Sequence, residues 1–575
     1  MIHVTTSRTH RRIRAALVAA SVLLGSAAPR LQQPPTASQP RLVVILVVDQ
    51  MRVDYLEWYA PLLTKGLRRL RDQGAWFTNA AYPYLNTVTC VGHSTIGTGT
   101  FPYHHGMVLN AWLDRTTKRV PGCTEDLQVK EITYAGLKPA TGDSARNLMR
   151  PALGEQVRQH GGRAVAISLK PRSSIPLVGH RADAIVWFDE RGGWSTSEAF
   201  SKKPVPFIEE FIENHPLTAD QGKVWTRTLD PGAYKGEDDV AAERPPAGMT
   251  RTFPHALDAP AQSGSTESFF TRWQRSPFAD EYLERLAETA IDKMALGKGQ
   301  RTDFLAVSFS SLDLVGHVFG PRSQEVQDML VRVDATIGRL LEHLDRQVGA
   351  GNYVLAISAD LGVAEIPELV GTGGRQTTKE VKDALEKVFV PVLGIGDHVA
   401  ATAYTDIYLT PKTVERLRLD TTTRTAAVNA LLALPAVSRV FVGTELATAE
   451  ARASTDPVLR AAALSYYPGR SGDLIIAPKE QWLLGTTAAT THGTQQPYDQ
   501  RVPVILFGAG VRAGHYTQTA SPADIAPTLA SVARIRIAPT DGRVLSEALV
   551  PAAATHSGAP SAATRSGAVS SRGSR

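Results

Sequence analysis

"RLVVILVVD", residues 41–49, is a run of seven β-branched and leucine residues between an arginine and an aspartate. An amphipathic strand alternates polar and apolar positions, whereas this run is apolar at every position. It therefore reads as a strand buried on both faces, the kind found in parallel sheets covered by helices. Similar runs recur at "RAVAISLK" (163–170), "DFLAVSFSSLD" (303–313), "YVLAISAD" (353–360) and "VPVILFG" (502–508). Between them lie helical patterns such as "EVQDMLVRVDATIGRLLEHLDRQV" (325–348). Strands alternating with helices predict an α/β fold with a doubly wound, mostly parallel central sheet flanked by helices.

The chain has 575 residues, 43% hydrophobic and 21% charged, which suits a globular protein with room for one large domain and insertions. The formal net charge of +6 is concentrated at the ends. Residues 1–30 hold five arginines and no acid, and residues 551–575 hold three and no acid. The body between them is slightly acidic, which argues against a nucleic-acid-binding surface.

Residues 1–28 read as a signal peptide: Arg8 to Arg14 supply the positive region, Ala15 to Leu24 the apolar one, and "GSAA" the small-residue cleavage zone. The protein is therefore expected to be exported, periplasmic or secreted. The apolar part is too short to span a bilayer comfortably, and no later segment is long enough. Residues 29–40 form a Pro/Gln linker, 41–550 the catalytic domain, and 551–575 an Ala/Ser/Gly-rich tail expected to be disordered. Within the domain, about 190–300 is rich in Pro, Trp and Gly and reads as an inserted cap. Cys90 and Cys123 are the two cysteines, and sequence alone leaves open whether they pair.

In a sheet of this class ligands sit beyond the carboxyl ends of the strands. Asp49, Asp313 and Asp360 each follow such a run. Any one of them alone would be read as a helix cap; three at equivalent places point to a metal site. Asp313 and His317 are four apart, which can bring both side chains to one helix face. His492 lies in a small-residue loop before a strand. Carboxylates with imidazoles suit a zinc-like ion, and a hydrolytic two-metal site holds its ions about 4 Å apart.

Taken in order, "VVDQMRVDYL", "NTVTCVGHSTIGTGTFPYHHGMVLNAW", "SLKPRSS", "SLDLVGHVFGP", "SAD" and "THGT" resemble the alkaline phosphatase superfamily. The branch is that of type I phosphodiesterases/nucleotide pyrophosphatases and of periplasmic monoesterases with a threonine nucleophile. The resemblance runs from about residue 41 to about 535. It implies Thr89 as nucleophile, with Asn110, Lys170 and Arg172 on the phosphoryl oxygens. It implies two divalent metals, zinc by analogy: one on Asp313, His317 and His492, the other on Asp49, Thr89 and Asp360. The other role open to Thr89 is that of a helix N-cap. A sulfatase would need a different signature after Cys90, and "VGHS" does not supply it.

A monoester carries one more negative charge than a diester, so the Lys-x-Arg pair favours monoesters. The implied function is hydrolysis of a small phosphorylated substrate through a phospho-threonine. Diester or pyrophosphate cleavage on the same framework, and phosphate binding without turnover, are the alternatives. The pattern breaks at one position. The family's Asp-His motif reads Asp360-Leu361 here, and leucine offers no lone pair. Either His93 or Glu365 supplies the ligand, or the site binds a harder ion such as Mg²⁺ with water in the gap, or activity is attenuated.

Overall fold

The computed structural model describes residues 39–134, 136–258 and 269–551. The residues read above as a signal peptide, most of those read as a linker and all but the first of those read as a tail lie outside these. No described helix is long and apolar enough to cross a membrane.

An eleven-stranded sheet organises the main body. Its order is Gly514–Tyr516, Ala75–Phe77, Val504–Gly508, Tyr353–Ser358, Leu42–Val48, Asp303–Phe309, Ala164–Ser168, Ala184–Asp189, Gly193–Ser197, Glu125–Thr133 and Thr141–Asp143. The opening run lies at its centre. Every residue of Leu42–Val48 is buried, with parallel partners on both sides. The Asp303–Phe309 and Tyr353–Ser358 strands are buried throughout as well. The helix Gln324–Gln347 packs against Gly66–Gln73 and Pro277–Lys293, while Thr89–Thr98 packs against Pro171–Val178.

Five strands from Tyr353–Ser358 to Ala184–Asp189 are parallel, so their carboxyl ends share one edge. The Val504–Gly508 strand is antiparallel to its neighbours. Its amino end therefore lies at that same edge, which is how a loop preceding a strand comes to meet loops that follow strands.

Within 190–300, the Gly193–Ser197 strand extends the main sheet and Pro277–Lys293 joins a helical layer. Much of the rest is irregular, with short helices and an antiparallel pair of two-residue strands, Val224–Trp225 and His255–Ala256. A second lobe, which the sequence reading did not separate, is built on a four-stranded antiparallel sheet: Val399–Ala403, Asp406–Leu409, Leu474–Pro478 and Val437–Val442. It has its own apolar core, including Leu385, Phe389, Ile407, Leu431 and Ile476.

Candidate active site

Strand register sets out the site. Val47 pairs with Ser358, so two residues further on Asp49 stands level with Asp360. Val48 pairs with Phe309, which places Ser310 beside Asp49. Ser308 pairs with Ser168, which places Lys170 beside Ser310. Asp360, Asp49, Ser310 and Lys170 thus form one row across four adjacent strand ends, spaced about 4.8 Å per strand. Asp313 is added by the helix Ser311–Phe319, which starts directly beyond that row.

The carboxylates are buried and densely bonded. Asp49 Oδ1 accepts from Ser308 Oγ at 2.9 Å; its Oδ2 accepts from Ser310 Oγ at 2.9 Å and Lys170 Nζ at 2.9 Å. Asp313 Oδ2 accepts from the same ammonium at 2.6 Å, and its Oδ1 accepts from Gln50 Nε2 at 2.8 Å. Gln50 also donates its backbone N–H to Asp360 Oδ1 at 3.0 Å. Asp360 Oδ2 is buried with no hydrogen-bond partner among the described residues.

Burial opposes ionisation of all three acids, and their neighbours then separate them. The Lys170 ammonium holds both Asp49 and Asp313 well below the ordinary carboxylate range. Asp360, pushed by burial and by the neighbouring Asp49 carboxylate, rises to about 8.

Among the described residues two groups of side chains could hold a metal, each with donor atoms within 4.8 Å of one another: Asp313, His317 and His492, and Asp49, His93 and Asp360. In the first, His317 Nδ1 donates to Thr490 O at 3.0 Å and His492 Nδ1 to Thr87 O at 2.9 Å. A carbonyl can only accept, so both rings carry their proton on Nδ1 and turn an Nε2 lone pair inward. Those Nε2 atoms lie 3.2 and 3.6 Å from Asp313 Oδ1. This is the outer hydrogen bonding that orients zinc-binding histidines, and the donor set suits a zinc-type ion. The second group suits one too, because the buried Asp360 Oδ2 accepts no hydrogen bond among the described residues.

Thr89 is the first residue of the ten-residue helix Thr89–Thr98, and the cap position belongs to Val88. No side chain caps this helix, so Thr89 is not its N-cap. Close approach is set by Gly92: a Cβ there would fall 2.1 Å from Asp360 O, so only glycine lets the helix lie on that strand end. Asn110 is fixed beside Thr89 from both ends. Its Oδ1 accepts from Cys90 N–H at 2.8 Å and its backbone O from Cys123 N–H at 2.8 Å. Cys90 and Cys123 are joined by a disulfide. Lys170 and Arg172 open the helix Pro171–Val178, and Arg172 Nε is buried without a hydrogen-bond partner.

The structure brings all nine sequence-chosen residues to one sheet edge or to the helix ends beside it. Of the two substitute ligands, Glu365 is held in ion pairs with Arg52 (3.3 Å) and Arg322 (3.0 Å), whereas His93 lies between Asp49 and Asp360. Leu361 is fully buried.

Sequence reasoning missed Gln50, Ser308, Ser310 and Tyr404. The two serines had a signal, because they interrupt an apolar strand two residues apart and so share a face. Gln50 had none, since its role depends on a left-handed backbone (φ 64°). Tyr404, also left-handed (φ 49°), sits at a hairpin tip of the second lobe and meets the Asn110 side chain. With Asn110, Leu314, Val318 and Leu484 it lines a cavity of about 490 Å³ beside His317.

Residues 43–501 match the model of the type I phosphodiesterase/nucleotide pyrophosphatase family. A Myroides odoratus protein named calcium-transporting ATPase is 30% identical over 514 residues, covering 86% of this chain and 92% of its own. Alkaline phosphatase PafA of Elizabethkingia meningoseptica is 30% identical over 534 residues, covering 90% and 95%. Alkaline phosphatase PhoK of a Sphingomonas species is 28% identical over 572 residues, covering 92% and 97%. The crystal structure of PafA superposes with a TM-score of 0.81 over 89% of this chain and 99% of that one. The chain belongs to the type I phosphodiesterase/nucleotide pyrophosphatase family, within the alkaline phosphatase superfamily.

Proposed function

We propose that the protein is an exported, metal-dependent hydrolase of phosphate monoesters that acts through a phospho-threonine on Thr89. The observation that carries this reading is the cation pair at the strand-end row: Lys170, buried, and Arg172, whose buried Nε has no hydrogen-bond partner. A dianionic phosphoryl group answers both, whereas a diester offers one charge less. The relatives named alkaline phosphatases support the same class, and a disulfide suits an oxidising compartment.

Asp313, His317 and His492 would hold one divalent ion, and Asp49, Asp360 and Thr89 the other, with zinc the expected metal. When bound, such ions supply positive charge that favours the alkoxide of the nucleophile and of the leaving group. The chain's own groups do the rest. Thr89 Oγ attacks phosphorus as the bond to the leaving oxygen breaks, at a helix start whose positive end favours the phosphoryl group. Asn110 already gives its Oδ1 to Cys90 N–H, so its Nδ2 is the end left to donate to a nonbridging oxygen. Arg172 and Lys170 meet the remaining charge. Water then attacks phosphorus, breaks its bond to Thr89 Oγ and releases phosphate. The cavity beside Tyr404 gives an organic leaving group an apolar wall.

Acid-quenching the enzyme during turnover of an aryl phosphate and mapping the phosphopeptide tests this. A phosphoryl group on Thr89, absent with Thr89→Ala along with turnover, is expected. Turnover with no phosphoryl on Thr89 would reject the reading.

A further inference from the structure

We propose that His93 is the imidazole ligand of the nucleophile-side metal, in place of the histidine that Leu361 displaces. The proposal rests on the two-metal reading above. His93 is fully buried, and its donor atom lies within 4.8 Å of those of Asp49 and Asp360. One helical turn after Thr89, it shares the face that Gly92 allows to lie against the Asp360 backbone.

The wiring of His93 repeats that of His317 and His492. Its Nδ1 donates to Thr89 O at 2.9 Å, which fixes the proton there and leaves the Nε2 lone pair free. Nε2 lies 3.3 Å from Asp49 Oδ1, as the Nε2 atoms of the other two histidines lie close to Asp313 Oδ1. All three rings are thus tied through Nδ1 to a backbone carbonyl, with Nε2 aimed at a carboxylate of the site.

A proton count points the same way. Ser308 Oγ is 2.9 Å from both His93 Nε2 and Asp49 Oδ1, and it has a single hydrogen to give. With the ring neutral, as a metal ligand must be, one of the two acceptors is left facing the other without a donor, and a second ring proton or a bound cation is what answers it. Asp360 Oδ2, 3.6 Å from His93 Nδ1, receives no hydrogen bond either. A cation bound by Nε2 and the two carboxylates satisfies all of these atoms. Glu365, the other residue near enough in sequence, is committed to two arginines.

X-ray absorption on the zinc-loaded wild-type protein, with metal content by mass spectrometry, tests the assignment without a variant. Two zinc ions per chain sharing three histidines give an average of one and a half imidazoles per zinc. Two zinc ions with an average of one imidazole would overturn the role of His93. One zinc per chain would also overturn it, by showing that the second set does not close. Protein that binds no zinc would remove the two-metal reading itself, a distinct outcome. In equilibrium dialysis, His93→Gln should weaken the second zinc at least roughly 100-fold, at or beyond the loss seen for outer hydrogen-bond partners. Adding Leu361→His to His93→Gln should restore it. Unchanged binding of both ions by folded His93→Gln would overturn the proposal.

Discussion

Replacing both cysteines, Cys90→Ala with Cys123→Ala, tests how far the nucleophile's surroundings depend on the cross-link. The two residues are 33 apart in sequence, so the bridge closes a medium-sized loop. In the chain-entropy description a loop of that length is worth about 3.8 kcal/mol at room temperature. Both side chains are buried, so truncation also loses some packing. The bridge further joins the two backbone N–H groups that hold Asn110, each at 2.8 Å. Loosening them should cost the site about 1 kcal/mol, the net worth of one hydrogen bond, or roughly fivefold in kcat/KM. Urea titrations followed by tryptophan fluorescence, beside monoester kinetics on the folded variant, read both effects. A loss of stability under about 1 kcal/mol, together with unchanged kcat/KM, would refute the reasoning.

Further predictions concern the metal site and two buried side chains away from it, Asp334 and His105. Chelation should abolish turnover and lower the melting temperature, because Asp49, Asp313 and Asp360 are then buried together with Lys170 as their main counter-charge; added zinc should restore both. Asp334 accepts four backbone N–H bonds from residues 64, 65, 67 and 68 at 2.7–3.2 Å, so Asp334→Ala should cost about 3 kcal/mol in urea unfolding. Burial holds the His105 ring down to about 3 from an ordinary 6.5. The unfolded chain then takes up a proton that the folded one refuses, and stability falls by about 1.4 kcal/mol per unit as pH drops below 6.5, until about 3. His105→Gln should remove that part of the slope, and parallel unfolding curves for the two proteins between pH 7 and 4 would contradict it.

The fold was legible because its central strand, Leu42–Val48, is apolar at every position and its neighbours nearly so, a pattern that suits a strand buried on both faces and that an amphipathic helix lacks. Asp49 and Asp360 were legible as strand-end acids because register carries strand ends into one row. His492 was legible as a histidine, but its arrival depends on the Val504–Gly508 strand running antiparallel, which apolar content does not encode. Tyr404 was beyond reach. It belongs to a lobe with a separate core and is delivered by a hairpin held through Thr405 Oγ1, which donates to Asn86 Oδ1 at 2.8 Å. Long-range contacts of that kind leave no local period. The break at Leu361 was visible in sequence, and so were two substitutes, His93 and Glu365; the choice between them was not, because His93 becomes a neighbour of Asp49 only once helix and sheet are packed.

The most direct measurement compares an aryl phosphate monoester with the matching diester on the zinc-loaded mature protein, with Arg172→Ala and Leu361→His in parallel. The account predicts that the unaltered protein prefers the monoester and that Arg172→Ala lowers monoester kcat/KM by about 100-fold or more while touching the diester little. Preference for the diester, or silence from the unaltered protein with activity appearing only in Leu361→His, would contradict it.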